Sequence, residues 1–122
     1  MAATSKVRIV LVTCGSRREA RKIAQAVVDA RLAACGNVIS SPVESIYRWK
    51  GRVEAAKEFL LIMKTTAKRL DALQNEVTRL HSYEVPEFLV LAVAGSSAGY
   101  LEWLVESCLE KRPTNPGPKG QA

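Results

Sequence analysis

Histidine occurs once in the 122 residues, as His81, and the three cysteines, Cys14, Cys35 and Cys108, stand apart from one another. A structural zinc site needs four ligands, normally paired at CxxC or HxxxH spacing, and no such pair exists. A Ser-His-Asp or Cys-His arrangement would have to be assembled through space around His81 alone, and nothing local marks an activated thiol. Gly15-Ser16 is the nearest approach to a phosphate loop, and it lacks both the GxGxxG and the GxxxxGK pattern. No apolar run reaches the ~20 residues of a membrane span. The run that follows MAATSKVR is only strand-length, too short for a signal peptide. An odd cysteine count without an export signal reads as free thiols in the cytoplasm. With these signatures missing, the expectation is a cytoplasmic protein that is not an enzyme.

Hydrophobic residues make up 48% of the chain, enough for one core. A single domain over residues 1–110 is expected, followed by a disordered tail over 111–122 that is rich in proline and glycine. Lysine and arginine outnumber aspartate and glutamate by 18 to 12, a net charge of +6. The basic residues are nevertheless scattered, with no block of five, so a nucleic-acid partner is not expected.

Val7 to Thr13 is β-branched and apolar on both faces, the mark of a strand covered on two sides. Ser16-Arg17-Arg18-Glu19 fits a capping box, with Ser16 accepting from the Glu19 amide and the Glu19 carboxylate reaching back. Ala20, Ile23, Ala24, Val27 and Val28 recur at helical spacing, and the helix is expected to end near Leu32. From Cys35 to Trp49 a bent strand is expected, interrupted at Gly36 and Pro42. Lys50-Gly51-Arg52 supplies a turn, and Val53 to Thr65 returns as the partner strand. Thr66 is placed to cap a second helix with Leu70, Leu73, Val77 and Leu80, which Pro86 stops. Phe88 to Ala94 is a further doubly apolar strand, and Ser96 or Ser97 is placed to cap a third helix bearing Leu101, Leu104, Val105, Cys108 and Leu109. This order predicts an α+β fold, the ferredoxin-like β-α-β-β-α-β arrangement with an extra C-terminal helix. Two crossover helices cover one sheet face, yet the first, third and fourth strands are apolar on both. Other copies of the chain are the economical cover, so a homo-oligomer is expected.

For chemistry, His81, Glu84 or Glu87 and a thiol suit an imidazole- and sulfur-seeking ion such as copper. The plainer role for His81 is to close the second helix at its carbonyl-rich end. Cys14 ends the first strand just before a helix N-terminus, where amide dipoles favour a thiolate, although a small packed residue fits there equally. Cys35 and Cys108 read as packing atoms. Tyr47, Trp49, Tyr83, Tyr100 and Trp103 suit an interface or a ligand cleft. Glu54, Glu58 and Lys64 share one face of the return strand by parity, where a polar pocket between subunits is conceivable.

Five motifs in register carry more than pattern: Arg31-Leu-Ala-Ala-Cys35-Gly-Asn37, Ser45-Ile-Tyr47-Arg-Trp49-Lys-Gly51, Lys64-Thr65-Thr66, His81-Ser-Tyr83-Glu-Val-Pro86-Glu87 and Tyr100-Leu-Glu-Trp103-Leu. Over residues 6–109 the chain resembles the CutA divalent-cation tolerance family. The resemblance implies a cytoplasmic ferredoxin-like protomer in a homotrimer with intersubunit hairpin pairing, linked to tolerance of copper and other divalent cations. It implies that His81 matches the family's histidine and that Tyr47, Trp49, Tyr83, Glu87 and Trp103 match positions lining the cleft between subunits. Joined to the donor chemistry and the strand parity above, this gives His81, Cys14 and Glu87 as the metal candidates, and Tyr47, Trp49, Glu58, Lys64, Tyr83 and Trp103 as the ligand cleft. The family's trimer resembles that of the PII signalling proteins, which leaves a small-ligand sensor without a metal role as the alternative. Three positions depart from the family pattern. Ser82 stands where proline is usual, Val12 where copper-binding members carry a thiol, and Leu80 where they carry a second histidine. Cys14, two residues along the strand, is the candidate replacement for the thiol.

Overall fold

The computed structural model describes residues 2–110. β1 (Val7–Cys14) runs into α1 (Arg17–Asp29), β2 (Cys35–Val38), β3 (Val43–Trp49) and β4 (Arg52–Thr66). A 3-10 turn (Ala67–Arg69) then leads into α2 (Leu70–Leu80), β5 (Leu89–Ala92) and α3 (Ala98–Ser107). The expected tail over 111–122 lies outside the described residues.

The sheet has the order β2-β4-β1-β5, all neighbours antiparallel, and β3 pairs with the far half of β4. Among the described residues the fold is therefore mixed α+β, with an antiparallel sheet and three α-helices. β4 is long enough to serve twice. Its C-terminal half lies between β1 and β2, from Phe59↔Cys14 to Thr66↔Val7, while Arg52 to Glu58 pairs only with β3 and forms an arm. The period-2 alternation of β1 and β4 then sorts the core. Val10, Val12, Cys14, Leu61 and Met63 face α1 and α2, meeting Ala20, Ile23, Ala24, Val27, Leu73 and Val77 in one buried cluster. Gly36 lets β2 approach α1, because a Cβ there would stand 2.9 Å from that of Ala24.

Five local expectations are revised. The bent strand from Cys35 to Trp49 is two strands: Ile39 N–H still bonds Leu60 O, but Pro42 has no N–H to continue a ladder. α1 stops at Asp29 rather than Leu32, since Arg31 adopts a left-handed φ of 62°. Neither Thr66 nor Ser97 makes a side-chain cap bond: the 3-10 turn starts the second helix, its Ala67 N–H held by Lys6 O, and the Ser96 hydroxyl donates to Ser97 O instead of capping α3. Ser16 does accept from Glu19 N–H at 3.1 Å, but the Glu19 carboxylate turns away from the cap.

Arg31 explains part of the first motif. Its guanidinium donates to the carbonyls of Leu109 and Glu106 at the C-terminal end of α3, where intrahelical partners run out. An arginine in a glycine-like conformation persists because it ties α3 to α1. Arg31→Ala keeps the backbone strain and loses the tie, so it is expected to lower stability by about 1–2 kcal/mol in urea unfolding. An unchanged midpoint would deny the tie any weight.

Apolar residues on the arm and on β5 are left open in the single chain. Ile46 is 69% exposed, Val53 64% and Leu89 55%, with Val90 and Leu91 also exposed. The two φ-positive residues Lys50 and Gly51 close the arm in the two-residue turn that suits strand twist.

Candidate functional site

β1, α1 and α2 converge at one end of the core. β1 ends on Cys14, fully buried beneath the helices. Glu19 projects from the first turn of α1. His81 follows α2 directly, its N–H closing the last turn on Val77 O. One ligand atom from each of Cys14, Glu19 and His81 lies within 4.8 Å of the other two.

The hydrogen bonds fix the tautomer of His81. Nε2 lies 2.8 Å from the Thr13 carbonyl oxygen, which only accepts, so Nε2 carries the proton. Nδ1 is then the unprotonated nitrogen, and it accepts from the Tyr83 N–H at 3.0 Å. The imidazole does not cap α2 through its ring, as the plainer sequence reading had it; it joins the end of α2 to the end of β1. Glu19 Oε2 accepts from Ser82 N–H at 3.1 Å. Glu19 Oε1 is buried without a hydrogen-bond partner and stands 3.6 Å from His81 Nδ1. Two acceptors thus face each other in a site shielded from water, an arrangement that a cation between them would satisfy. The Cys14 thiol is pushed up to about 12, by burial first and then by the charges of Glu19 and Glu58. Without an ion it stays protonated, contrary to the thiolate that its place before a helix suggested.

A second polar group adjoins the first. Tyr83 Oη donates to Glu58 Oε2 at 2.8 Å, and its ring rests on His81 with centroids 4.6 Å apart. Burial, then the bond to Glu58, pushes the Tyr83 phenol well above its ordinary range; the charges of Tyr47 and Glu19 act in the same sense. Burial and then Glu58 raise Glu87.

The sequence-derived candidates therefore separate. His81 and Cys14 come together, but the carboxylate beside them belongs to Glu19, and Glu87 senses Glu58 instead. Of the six cleft residues, Glu58, Tyr83 and Tyr47 interact. Lys64 lies with its Nζ 5.9 Å over the ring of Tyr100, which packs on Trp103. Trp49 is at the arm's tip, against Lys50. The six form no single cleft within one chain. Glu19 escaped the sequence reading because the capping box already accounted for it. The signal that would have found it is Ser82, whose N–H holds the carboxylate and which proline could not replace.

A cavity of about 890 Å³ opens elsewhere, between the C-terminal end of α3 and the start of α2. Lys6, Lys68 and Arg69 line it together with Val105, Leu109 and Glu110, whose carboxylate stands 3.8 Å from the Arg69 guanidinium.

Residues 8–107 match the family model described as CutA1 divalent ion tolerance protein. The chain is similar to the divalent-cation tolerance protein CutA of Thermus thermophilus, 44% identical over 99 residues that cover 81% of this chain and 95% of that protein. It is 41% identical over 99 residues to the chloroplastic protein CutA of Arabidopsis thaliana, covering 81% of this chain and 54% of that one. The chain thus spans about half the length of the Arabidopsis relative. Among solved structures, CutA from Synechococcus elongatus superposes with a TM-score of 0.83 at 40% identity, over 88% of this chain and 95% of that one.

Proposed function

The chain belongs to the CutA1 divalent ion tolerance family, and on that premise we propose that it takes up a divalent cation at Cys14, Glu19 and His81. The observation that carries this reading is the buried Glu19 Oε1, without a hydrogen-bond partner and 3.6 Å from the unprotonated Nδ1 of His81. One sulfur, one imidazole nitrogen and one carboxylate oxygen suit copper or zinc, whereas magnesium and calcium prefer oxygen alone. The bond from Nε2–H to a backbone carbonyl is the outer support that orients an imidazole whose other nitrogen binds a metal. Three protein ligands leave a coordination position open, as in sites that exchange their ion or bind a further group. The role is binding rather than turnover.

The protomer is ferredoxin-like, a reading supported by the order β2-β4-β1-β5 with α1 and α2 as its crossovers. It assembles as a homotrimer in the cytoplasm, the exposed apolar arm and β5 supplying the contacts. In that assembly Trp49, Lys64, Trp103 and Glu87 complete clefts that a single chain leaves dispersed. No helix among the described residues is long and apolar enough to cross a membrane.

Native mass spectrometry after a slight excess of copper or zinc, under reducing conditions, is expected to show one ion per chain. An assembly that stays ion-free discards the reading. The cavity lined by Lys6, Lys68 and Arg69 favours a second one, a small-anion sensor without a metal role, which stabilisation by phosphorylated metabolites in the presence of chelator would then support.

A further inference from the structure

The imidazole of His81 has one lone pair to offer, at Nδ1, because Nε2–H is committed to the Thr13 carbonyl. The Tyr83 N–H already occupies that lone pair at 3.0 Å. An ion bound to Nδ1 would sit roughly 2.0–2.1 Å from it, within the space of this amide. Amide and ion exclude each other at the same atom.

We propose that Tyr83 is a latch that sets the affinity of this site, competing with the ion for His81 and linking ion occupancy to the root of the β3–β4 arm. The proposal rests on the ion-binding reading above. The latch is fastened at three points: the N–H on Nδ1, the ring against the His81 ring, and Oη on Glu58. Glu58, only 8% exposed, stands where β4 changes partners. Its own pairing, with Val43, is the first of the arm, and its neighbour Phe59 makes the last pairing with β1. The hydroxyl end of Tyr83 also lies over Gly15, where an added Cβ would come within 3.3 Å of Oη. When an ion displaces the amide, residues 82–83 move, the ring leaves this fitted seat, and the hydrogen bond to Glu58 is given up.

The consequence is reciprocal. Whatever the Tyr83–Glu58 bond contributes to the ion-free state opposes ion binding, so deleting the bond returns that contribution as affinity. Calorimetric titration of the full chain with zinc, under reducing conditions, tests this. Tyr83→Phe, which keeps the backbone N–H and loses the hydroxyl, is expected to bind zinc about tenfold more tightly than the wild type, the scale of a hydrogen bond to a charged acceptor. Gly15→Ala crowds Oη without touching a ligand and is expected to tighten binding by a smaller factor, roughly threefold. Ion-free Tyr83→Phe melts below the wild type, and saturating zinc brings the two melting temperatures together. Affinities of both variants equal to or weaker than that of the wild type overturn the latch while leaving the ion site standing. A wild type that takes up no zinc overturns the ion reading, and the latch with it.

Discussion

His81→Ala is expected to lower zinc affinity by more than about a hundredfold, beyond the 10–100-fold that follows the loss of an outer-shell support. The variant removes both a ligand atom and the bond that ties α2 to Thr13, so it needs companions that isolate the ligand set. Cys14→Ser keeps the packing of a buried, nearly isosteric residue and exchanges sulfur for a poorer metal donor; it is expected to cost a similar factor. Glu19→Gln removes the negative charge while preserving shape, with a loss of about tenfold or more. Glu87→Gln is the contrasting case. Glu87 senses the charge of Glu58 and stands outside the group of three, so its amide is expected to leave affinity within about twofold of the wild type. Ser82→Pro completes the set: proline deletes the N–H that holds Glu19 Oε2, and affinity falls with no ligand altered. Losses in Glu87→Gln with none in Glu19→Gln would move the site to the second acidic group and overturn this assignment. Circular dichroism on each variant separates lost ligation from lost folding.

Ser82 also shows where sequence reading stops. It registers in the sequence as a departure from the family pattern at a proline position and no more. In the fold it is the donor that turns Glu19 from a helix cap into a candidate ligand. Local rules had an adequate use for Glu19 in the capping box, and a residue with one sufficient local role gives no sign of a second, long-range one. What was legible rests on short-range physics. The strand at β1, the helical stripe of α1, the Ser16 cap and the glycine in the arm's turn all concern neighbours within a few residues, and all are present. Pro42 was legible as an interruption, but not as the point where one strand becomes two, because that depends on β4 changing partners near Glu58. Arg31 in a left-handed conformation was invisible, since its compensation lies 75 and 78 residues away, on the carbonyls of Glu106 and Leu109.

Ile46→Asp is expected to convert the proposed homotrimer, a threefold multiple of the 13.3 kDa chain, to a single chain, read by light scattering at micromolar concentration. An isolated two-stranded hairpin is marginal in water, yet β3 and the first half of β4 extend beyond the core, with Ile46 and Val53 each more than 60% exposed. β5 adds an edge strand whose Leu89, Val90 and Leu91 are all exposed, a combination that invites another chain. A symmetric trimer would bury each of these positions three times over, so one aspartate per chain places three unpaired carboxylates in the interface, each costing several kcal/mol. Leu91→Asp attacks the sheet face instead of the arm and is expected to give the same result, which separates interface loss from a damaged arm. If the wild type itself scatters as a single chain, the assembly is withdrawn and these apolar residues need another partner. The monomeric variants also answer a question about the ion. Cys14, Glu19 and His81 come from one chain, so Ile46→Asp should retain zinc affinity within a few-fold of the wild type. Loss of zinc together with the assembly would mean that a neighbouring chain supplies a ligand, and the site would then belong to the clefts between subunits.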